Sequence, residues 1–396
     1  MAITDKEKGV WGLDQVYNKI NQGSIWEYSG AAGLFVWGIN ESGQLGLNEG
    51  GNPAPKYSSP VQIPGTTWAF VANGTNGDDK FMVATKTDGT LWTWGHNEDG
   101  QLGHNNKTVY SSPVQVPGTT WGQQIKREGK RTFAIKTDGT LWSWGTNGGG
   151  YGALGHNNKT QYSSPKQVPG STWANLATMG SACLTTKSDG TMWNWGANSF
   201  GMLGIGNNTA YSSPKQVPGT TWNSGKGKLS GGGQHAAAIK TDGTLWMWGV
   251  NEYGMLGQNN TTNKNSPVQV PGSWSEVGCN NRGISAIKTD GTLWVWGSNM
   301  DGRLGLNEAE VPGSLGRSSP TQIPGTTWNK VVGGLQNNMA TKTDGTLWMW
   351  GPNSYGSLGQ NNIVAYSSPV QVSGSWNTGD GKIAHLYLGA AAIANI

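Results

Sequence analysis

The stretch KTDGTLWTWGHNEDGQLG, from Lys86 to Gly103, decides the fold, because it returns in recognisable form down the chain. Its Trp-Gly step marks seven units, at Trp37, Trp94, Trp144, Trp195, Trp248, Trp296 and Trp350, spaced by 57, 50, 51, 53, 48 and 54 residues. The same signals follow each marker: an Asn three residues on, then Gly-x-Leu-Gly, a Ser-Pro step, and a Trp that closes the unit, from Trp68 to Trp376. In AIKTDGTLWMWG (Ala238 to Gly249) two short β-prone runs flank Asp242-Gly243, a pair suited to the two positive-φ positions of a type I′ hairpin turn. Trp246 and Trp248 lie two apart, so both point to one face. The stretch from Ser111 to Trp121 reads as another extended pair, set off by Pro-Gly and Gly-rich breaks. Four short strands in about 50 residues make one propeller blade.

The ends of the chain suggest closure. The first unit lacks its KTDGT half and begins GLFVWG at Gly33, whereas GAAAIANI (Gly389 to Ile396) matches QHAAAIKT (Gln234 to Thr241) and stops where the turn would be. One hairpin is thus split between the termini, and pairing its halves leaves no open sheet edge. The predicted architecture is all-β: a seven-bladed propeller over residues 31–396, closed by pairing of N- and C-terminal strands, behind a short N-terminal arm at residues 1–30. The tryptophans fit this plan. Seven mark Trp-Gly steps, six precede those by two residues (Phe35 takes the seventh place), seven close units, and only Trp11 and Trp26 of the 22 remain.

Composition excludes several classes of function. Gly is abundant at 64 residues, but 10% aromatic content supplies a core that disordered chains lack. A net charge of +4 with only 13% charged residues is too dilute for a nucleic-acid footprint. Cys183 and Cys279 occupy non-equivalent repeat positions, so neither a disulfide nor a metal site is expected. MAITDKEKGVWGL starts with charges and has no apolar stretch of signal type, which predicts a soluble chain made without a secretory address. No apolar run is long enough for membrane insertion.

The units W-G-x-N-x-x-G-x-L-G and the split closing hairpin resemble the regulator of chromosome condensation repeat family, over about Gly33 to Ile396. That resemblance implies a seven-bladed propeller. It leaves activity open, because family members do unlike things: nucleotide exchange on a small GTPase with chromatin binding, β-lactamase inhibition, ultraviolet sensing by stacked tryptophans. A second family signature is matched by LSGGGQHAAAI (Leu229 to Ile239), with His235 in its histidine place. Other blades put Phe81, Arg131, Ala182, Gly283 and Asn337 there, so the histidine-dependent packing of the family is mostly missing.

Side chains that suggest chemistry have simpler readings. The Asp of each K-T-D-G-T unit is an isolated carboxylate in a hairpin turn. The loop NEDG (Asn97 to Gly100) hints at calcium, but its copies drop the acids. His104 and His156 are repeat-equivalent loop residues, replaced by Gln258 and Gln360 in other units. Lys126, Arg127, Lys130 and Arg131 could meet phosphate or an acidic partner, but read more simply as a solvated strand edge bearing protective charges. No nucleophile elbow, phosphate loop or zinc-helix motif appears. No catalytic, cofactor or metal site is therefore expected, and the chain reads as a structural or binding protein, not an enzyme.

In the arm, Val10, Leu13, Tyr17 and Ile20 keep a helical spacing that puts them on one face, with Gly23 as a stop. The phrase DKEKGVWGLDQVYNKINQGSIWEYSG resembles leaders of virion-associated proteins from marine tailed bacteriophages. That resemblance implies a virion component, such as a tail-associated appendage, which is oligomeric in the assembly. Its arm grips other virion proteins, and its propeller faces a host surface protein or glycan. Two alternatives stay open: a cytoplasmic protein-interaction propeller, such as a small-GTPase regulator or enzyme inhibitor, and a glycan-binding propeller. The glycan reading rests on Tyr110, Tyr162, Tyr211 and Tyr366, which recur before Ser-Ser-Pro. The interaction reading calls for divergent loops on adjacent blades, and the irregular stretches Gly148 to Gly150 and Asn307 to Gly316 are the candidates.

Overall fold

Each blade is a sheet of four antiparallel strands; the unit-closing Trp opens the innermost strand in five of the seven blades, and the Trp-Gly step lies at the end of the third. A computed structural model of the chain describes residues 32–51, 53–74, 80–147, 149–308, 316–386 and 388–395. Among these, the strands form seven four-stranded sheets. A representative blade runs Trp121–Glu128, Arg131–Lys136, Leu141–Gly145, Tyr162–Gln167, each strand paired to the next. The innermost strands of neighbouring blades line a central channel, and the Ser-Ser-Pro strands form the outer rim. The stretch Ser111 to Trp121 is therefore not a strand pair. It is the outer strand Tyr110–Val116 of one blade and the crossing to the inner strand of the next, because the Pro117-Gly118 break carries the chain between sheets.

The split hairpin closes the ring. Strand Ala32–Ile39 pairs with Gly389–Asn395 in unbroken register from Ala32 opposite Asn395 to Gly38 opposite Gly389. The closing blade takes its two outer strands from the N-terminal part of the chain and its two inner strands from the C-terminal part.

The Asp-Gly turns differ from the type I′ expectation. Only the glycine of each pair has positive φ, between 76° at Gly89 and 84° at Gly345. The turn is one residue longer than a two-residue loop: Gly89 N–H donates to the Lys86 carbonyl, and Lys86 N–H to the Thr90 carbonyl. This frees the Asp side chain for a local device repeated six times. Asp88 Oδ1 accepts from the backbone N–H and the hydroxyl of Thr90 at 3.0 and 2.6 Å, and Thr90 Oγ1 accepts from the Trp92 indole at 2.8 Å. These bonds hold every such carboxyl, from Asp88 to Asp344, below the usual carboxylate range.

The core lies between blades. Each of seven apolar clusters contains two buried indoles, such as Trp274 and Trp296, with ring centroids 5.8 Å apart. The indole of each Trp-Gly step also donates across the seam to a carbonyl in the preceding unit's Gly-x-Leu-Gly loop, at 2.7–3.0 Å in all seven blades. Trp37 bonds Ser357 in this way and so keys the first unit to the last. The final glycine of that loop is required twice: its φ is 67–82°, and a Cβ would come within about 2.7–3.2 Å of the next blade's indole.

Candidate functional site

The seven inner strands begin at the hairpin-turn face, where Trp121 N–H bonds the Gly89 carbonyl, and end at turns on the opposite face. The channel therefore has two unlike mouths. At the far ends of the inner strands, turns such as Gly180-Ser181, Gly233-Gln234 and Asn281-Arg282 surround a funnel of about 500 Å³. Its wall carries Tyr151, Tyr253, Met202 and Met255 together with Glu128, Glu252 and Arg282. The Arg282 guanidinium sits 5.0 Å from the Tyr253 ring centroid and donates toward the Met300 sulfur, so cation, ring and thioether form one contiguous patch.

The aromatic members come from one register position, the residue before the first Gly of each Gly-x-Leu-Gly. It is Tyr151, Phe200, Tyr253 and Tyr355 in four units, but Ser42, Asp99 and Asp301 in the other three. Because Ser and Asp fill the position without harm to the loop, the fold does not require a ring there. Tyr151 and Phe200 are nevertheless 44% and 42% exposed, and Met300 in the next loop but one is also exposed. An apolar arc thus spans five consecutive blades, from Tyr151 through Met300 to Tyr355. The remaining two blades carry ion pairs on the same face: Lys80 with Glu41 at 2.7 Å, and Lys130 with Asp99 at 3.3 Å. A single-sequence reading treats the position as a turn residue, and the missed signal is its change of chemistry from unit to unit.

The basic run of the third unit is not a solvated edge. Arg127 and Arg131 are buried, and Arg127 donates to the carbonyl of Ala72, which follows the inner strand of the preceding blade, and to that of His385 in the inner strand of the closing blade. Lys126 points into the channel. An innermost strand is flanked by blades on both sides, so charges that alternation assigns to water turn into seams and lumen. Burial pulls the Lys126 ammonium down to about 8, opposed in part by the charge of Glu128.

At the hairpin-side mouth, Lys330 Nζ lies 2.7 Å from both Glu276 and Asp380, and Lys228 lies 3.9 Å from Glu276. Lys226 donates to the Gln123 side chain, and Lys382 to the Ala69 carbonyl. Burial lowers Lys226 and Lys382, and raises Glu276 despite the pull of Lys330.

The four tyrosines singled out for glycan contact are half-buried at the starts of outer strands in separate blades, and the fold does not bring them together. The hydroxyls of Tyr110, Tyr162 and Tyr366 accept from Asn106, Asn158 and Asn362, while Lys166 and Lys215 cover the rings of Tyr162 and Tyr211. His104 and His156 bond Thr93 and Ser143 and abut Tyr110 and Tyr162. Val10, Leu13, Tyr17 and Ile20 lie outside the described residues. Both cysteines are buried free thiols, and no group of three or more acidic, His or Cys side chains suited to a metal ion occurs among the described residues.

The regulator of chromosome condensation (RCC1) repeat model matches residues 88–125, 138–180, 189–239, 242–283, 290–340 and 344–390. The chain belongs to the RCC1 repeat family. It is 31% identical over 301 residues to the ultraviolet-B receptor UVR8 of Arabidopsis thaliana, covering 73% of this chain and 67% of the receptor. It is also 27% identical to the human E3 ubiquitin-protein ligase HERC2, covering 60% of this chain but only 5% of that far longer protein. Among solved structures, Prp20p from Saccharomyces cerevisiae superimposes with a TM-score of 0.78 at 18% identity, over 92% of this chain and 91% of Prp20p. That structure is described together with the binding of Prp20p to Gsp1p and histones. At that identity the likeness carries the fold.

Proposed function

We propose that this chain is a protein-interaction propeller that docks a partner on its funnel face. The carrying observation is the apolar arc of Tyr151, Phe200 and Tyr253 on adjacent blades, beside a funnel that the fold does not require. Tyr, Met and Arg are the residue types that anchor protein interfaces, and energetic hot spots cluster where such side chains border a pocket. A pocket of this volume holds one anchoring side chain or peptide turn, while the arc beyond it offers contact area that a small ligand leaves uncovered. Likeness to Prp20p at 18% identity carries the fold alone, so the partner class rests on the funnel and not on Gsp1p or histones. The test is quantitative capture with the full chain beside the Tyr151→Ala, Tyr253→Ala double variant. Partners captured by the parent should fall by about tenfold or more on the variant with its melting temperature unchanged. Equal capture by both would remove the funnel from the function.

A finer reading makes the chain a component of a tailed-bacteriophage virion, anchored through Val10, Leu13, Tyr17 and Ile20 and presenting the same face outward to a host protein or glycan. Its support is the sequence of the leader. Mass spectrometry of purified particles tests it: a fixed, symmetric copy number beside the capsid and tail proteins supports the reading, and absence from clean particles ends it. A glycan array gives the third arm, with hits that depend on Tyr151 and Tyr253 pointing to sugar in place of protein.

A further inference from the structure

On the funnel face a loop meets, across the seam, the turn before the second strand of the following blade, as Glu41 meets Lys80 and Tyr253 meets Arg282. Two repeat positions face each other there: the residue after the loop Asn, and the last residue of the turn. Acidic side chains hold the first position in three units, at Glu41, Glu98 and Glu252. The turn residues opposite them are Lys80, Lys130 and Arg282, the three cations of that series. The first two couples are ion pairs, Lys80 with Glu41 at 2.7 Å, and Lys130 with Glu98 at 3.7 Å and Asp99 at 3.3 Å. The third pair is not made. Glu252 stands exposed, and neither it nor Arg282 forms an ion pair with any described residue.

The cause is the residue after Glu252. The first two units place Ser42 and Asp99 there, whereas the fifth places Tyr253, and a planar, weakly hydrated guanidinium stacks on such a ring. Arg282 accordingly lies 5.0 Å from the Tyr253 ring centroid, with its Nη1–H directed at the Met300 sulfur at 3.6 Å. It is half-buried among the funnel-lining side chains. A guanidinium has five in-plane N–H donors, and this contact takes one of them with a weak acceptor. The remaining edge fits a carboxylate through two parallel bonds. The carboxylates of the lining do not compete for it. Glu128 is buried, accepts from the Thr178 hydroxyl at 3.3 Å and shares a charge interaction with Lys126. Glu252 is exposed, so water screens it. Its charge still opposes a doubly charged phosphate at this lip more than a singly charged carboxylate.

We propose that the funnel recognises a protein segment carrying an aspartate or glutamate beside an apolar anchor, with the carboxylate on the Arg282 edge and the anchor among Tyr151, Met202 and Met255. The inference rests on the funnel being the docking face, and it adds the sign of the partner's charge. Arginine is enriched at the centres of interfaces, where lysine and glutamate are depleted. Arg282 therefore marks the contact, and Glu252 the solvated rim beside it.

A random-peptide display library panned on the full chain tests the proposal. Enriched peptides should share an acidic residue next to apolar ones. A synthetic copy of the strongest should bind Arg282→Gln about tenfold or more weaker than the parent and Glu252→Gln no weaker, with melting temperatures unchanged. Panning on Arg282→Glu should put Lys or Arg in place of the acidic residue, a reversal that a merely structural arginine does not produce. Enriched peptides without an acid, basic peptides that need Glu252, or equal binding of the acidic peptide by Arg282→Gln overturn the inference, as does a library that yields no binder. Peptides lost with the Tyr151→Ala, Phe200→Ala pair, which leaves the Tyr253 ring in place, but indifferent to Arg282→Gln end this inference alone and keep the funnel as the docking face. Peptides that bind all of these variants equally end both.

Discussion

The two mouths of the channel are built from the same seven strands, yet they have opposite chemistry. The hairpin-side mouth is ringed by lysines with two shared carboxylates between them. The funnel mouth is bordered on five blades by rings and thioethers, and on two by ion pairs. The repeat dictates the indoles, glycines and turn aspartates identically in each blade, so none of these distinguishes the mouths. The difference arises where the repeat is indifferent: the residue before Gly-x-Leu-Gly at one end, and the channel-facing residues of the inner strands at the other. In a propeller, function is written in the positions that packing leaves free.

Both mouths depend on one closed ring, so removing the closure should erase the comparison altogether. Deleting Gly389 to Ile396 strips the strand that pairs with Ala32–Ile39 and uncovers the indole of Trp37. The melting temperature should fall by more than about 10 °C, or the protein should fail to fold. An unchanged melt, followed by circular dichroism, would show that closure contributes nothing.

Acid should weaken the funnel end. His235 follows Gln234, which lines the funnel, and burial holds its imidazole down at about 4; His385 on the inner wall of the closing blade lies at about 3. An unfolded histidine titrates near 6.5, so between about pH 6.5 and pH 4 the unfolded chain binds more protons than the folded one. Stability should therefore fall as pH drops through that window, by on the order of 3 kcal/mol per histidine. The six turn aspartates, held below the usual range, stay ionised over most of it. Urea unfolding at pH 7 and pH 5 checks this, and His235→Asn should show a shallower loss than the parent.

Alkali should act on the other side with the opposite result. Lys126 titrates at about 8 when folded and near 10.4 when unfolded, so the charged form penalises the fold below pH 8 and the penalty lifts as pH rises above it. Channel water screens part of this, leaving about 1 kcal/mol of gain between pH 7.5 and pH 9.5. Lys126→Met should lose the gain, and a variant that keeps the full slope would place the titration elsewhere.

How much of this was legible in the sequence varies with the physics. Blade number followed from tryptophan spacing, because each indole has a fixed task at a seam, and the split hairpin followed from the match of Gly389–Ile396 to Gln234–Thr241. The strand pair read over Ser111–Trp121 did not hold, because the two strands it touches belong to different blades. The Asp242-Gly243 pair marked its turn correctly but suggested the wrong type, since the Asp-Thr-Trp relay that selects the longer turn spans residues whose side-chain contacts a dipeptide rule ignores. Lys126, Arg127 and Arg131 looked solvated because alternation assumes a wet face, and an innermost strand has seams and a lumen instead. The aromatic arc was hidden because Tyr151, Phe200 and Tyr253 lie about 50 residues apart in sequence and become neighbours only around the ring.

The most direct test of the functional account is hydrogen–deuterium exchange on the full chain with and without its captured partner. The account predicts protection in the loops around Tyr151, Phe200 and Tyr253 and in the Asn281-Arg282 turn, with the Asp-Gly hairpin turns unchanged. Protection on the hairpin-turn face, or along the outer rim at Tyr110, Tyr162, Tyr211 and Tyr366, would contradict it.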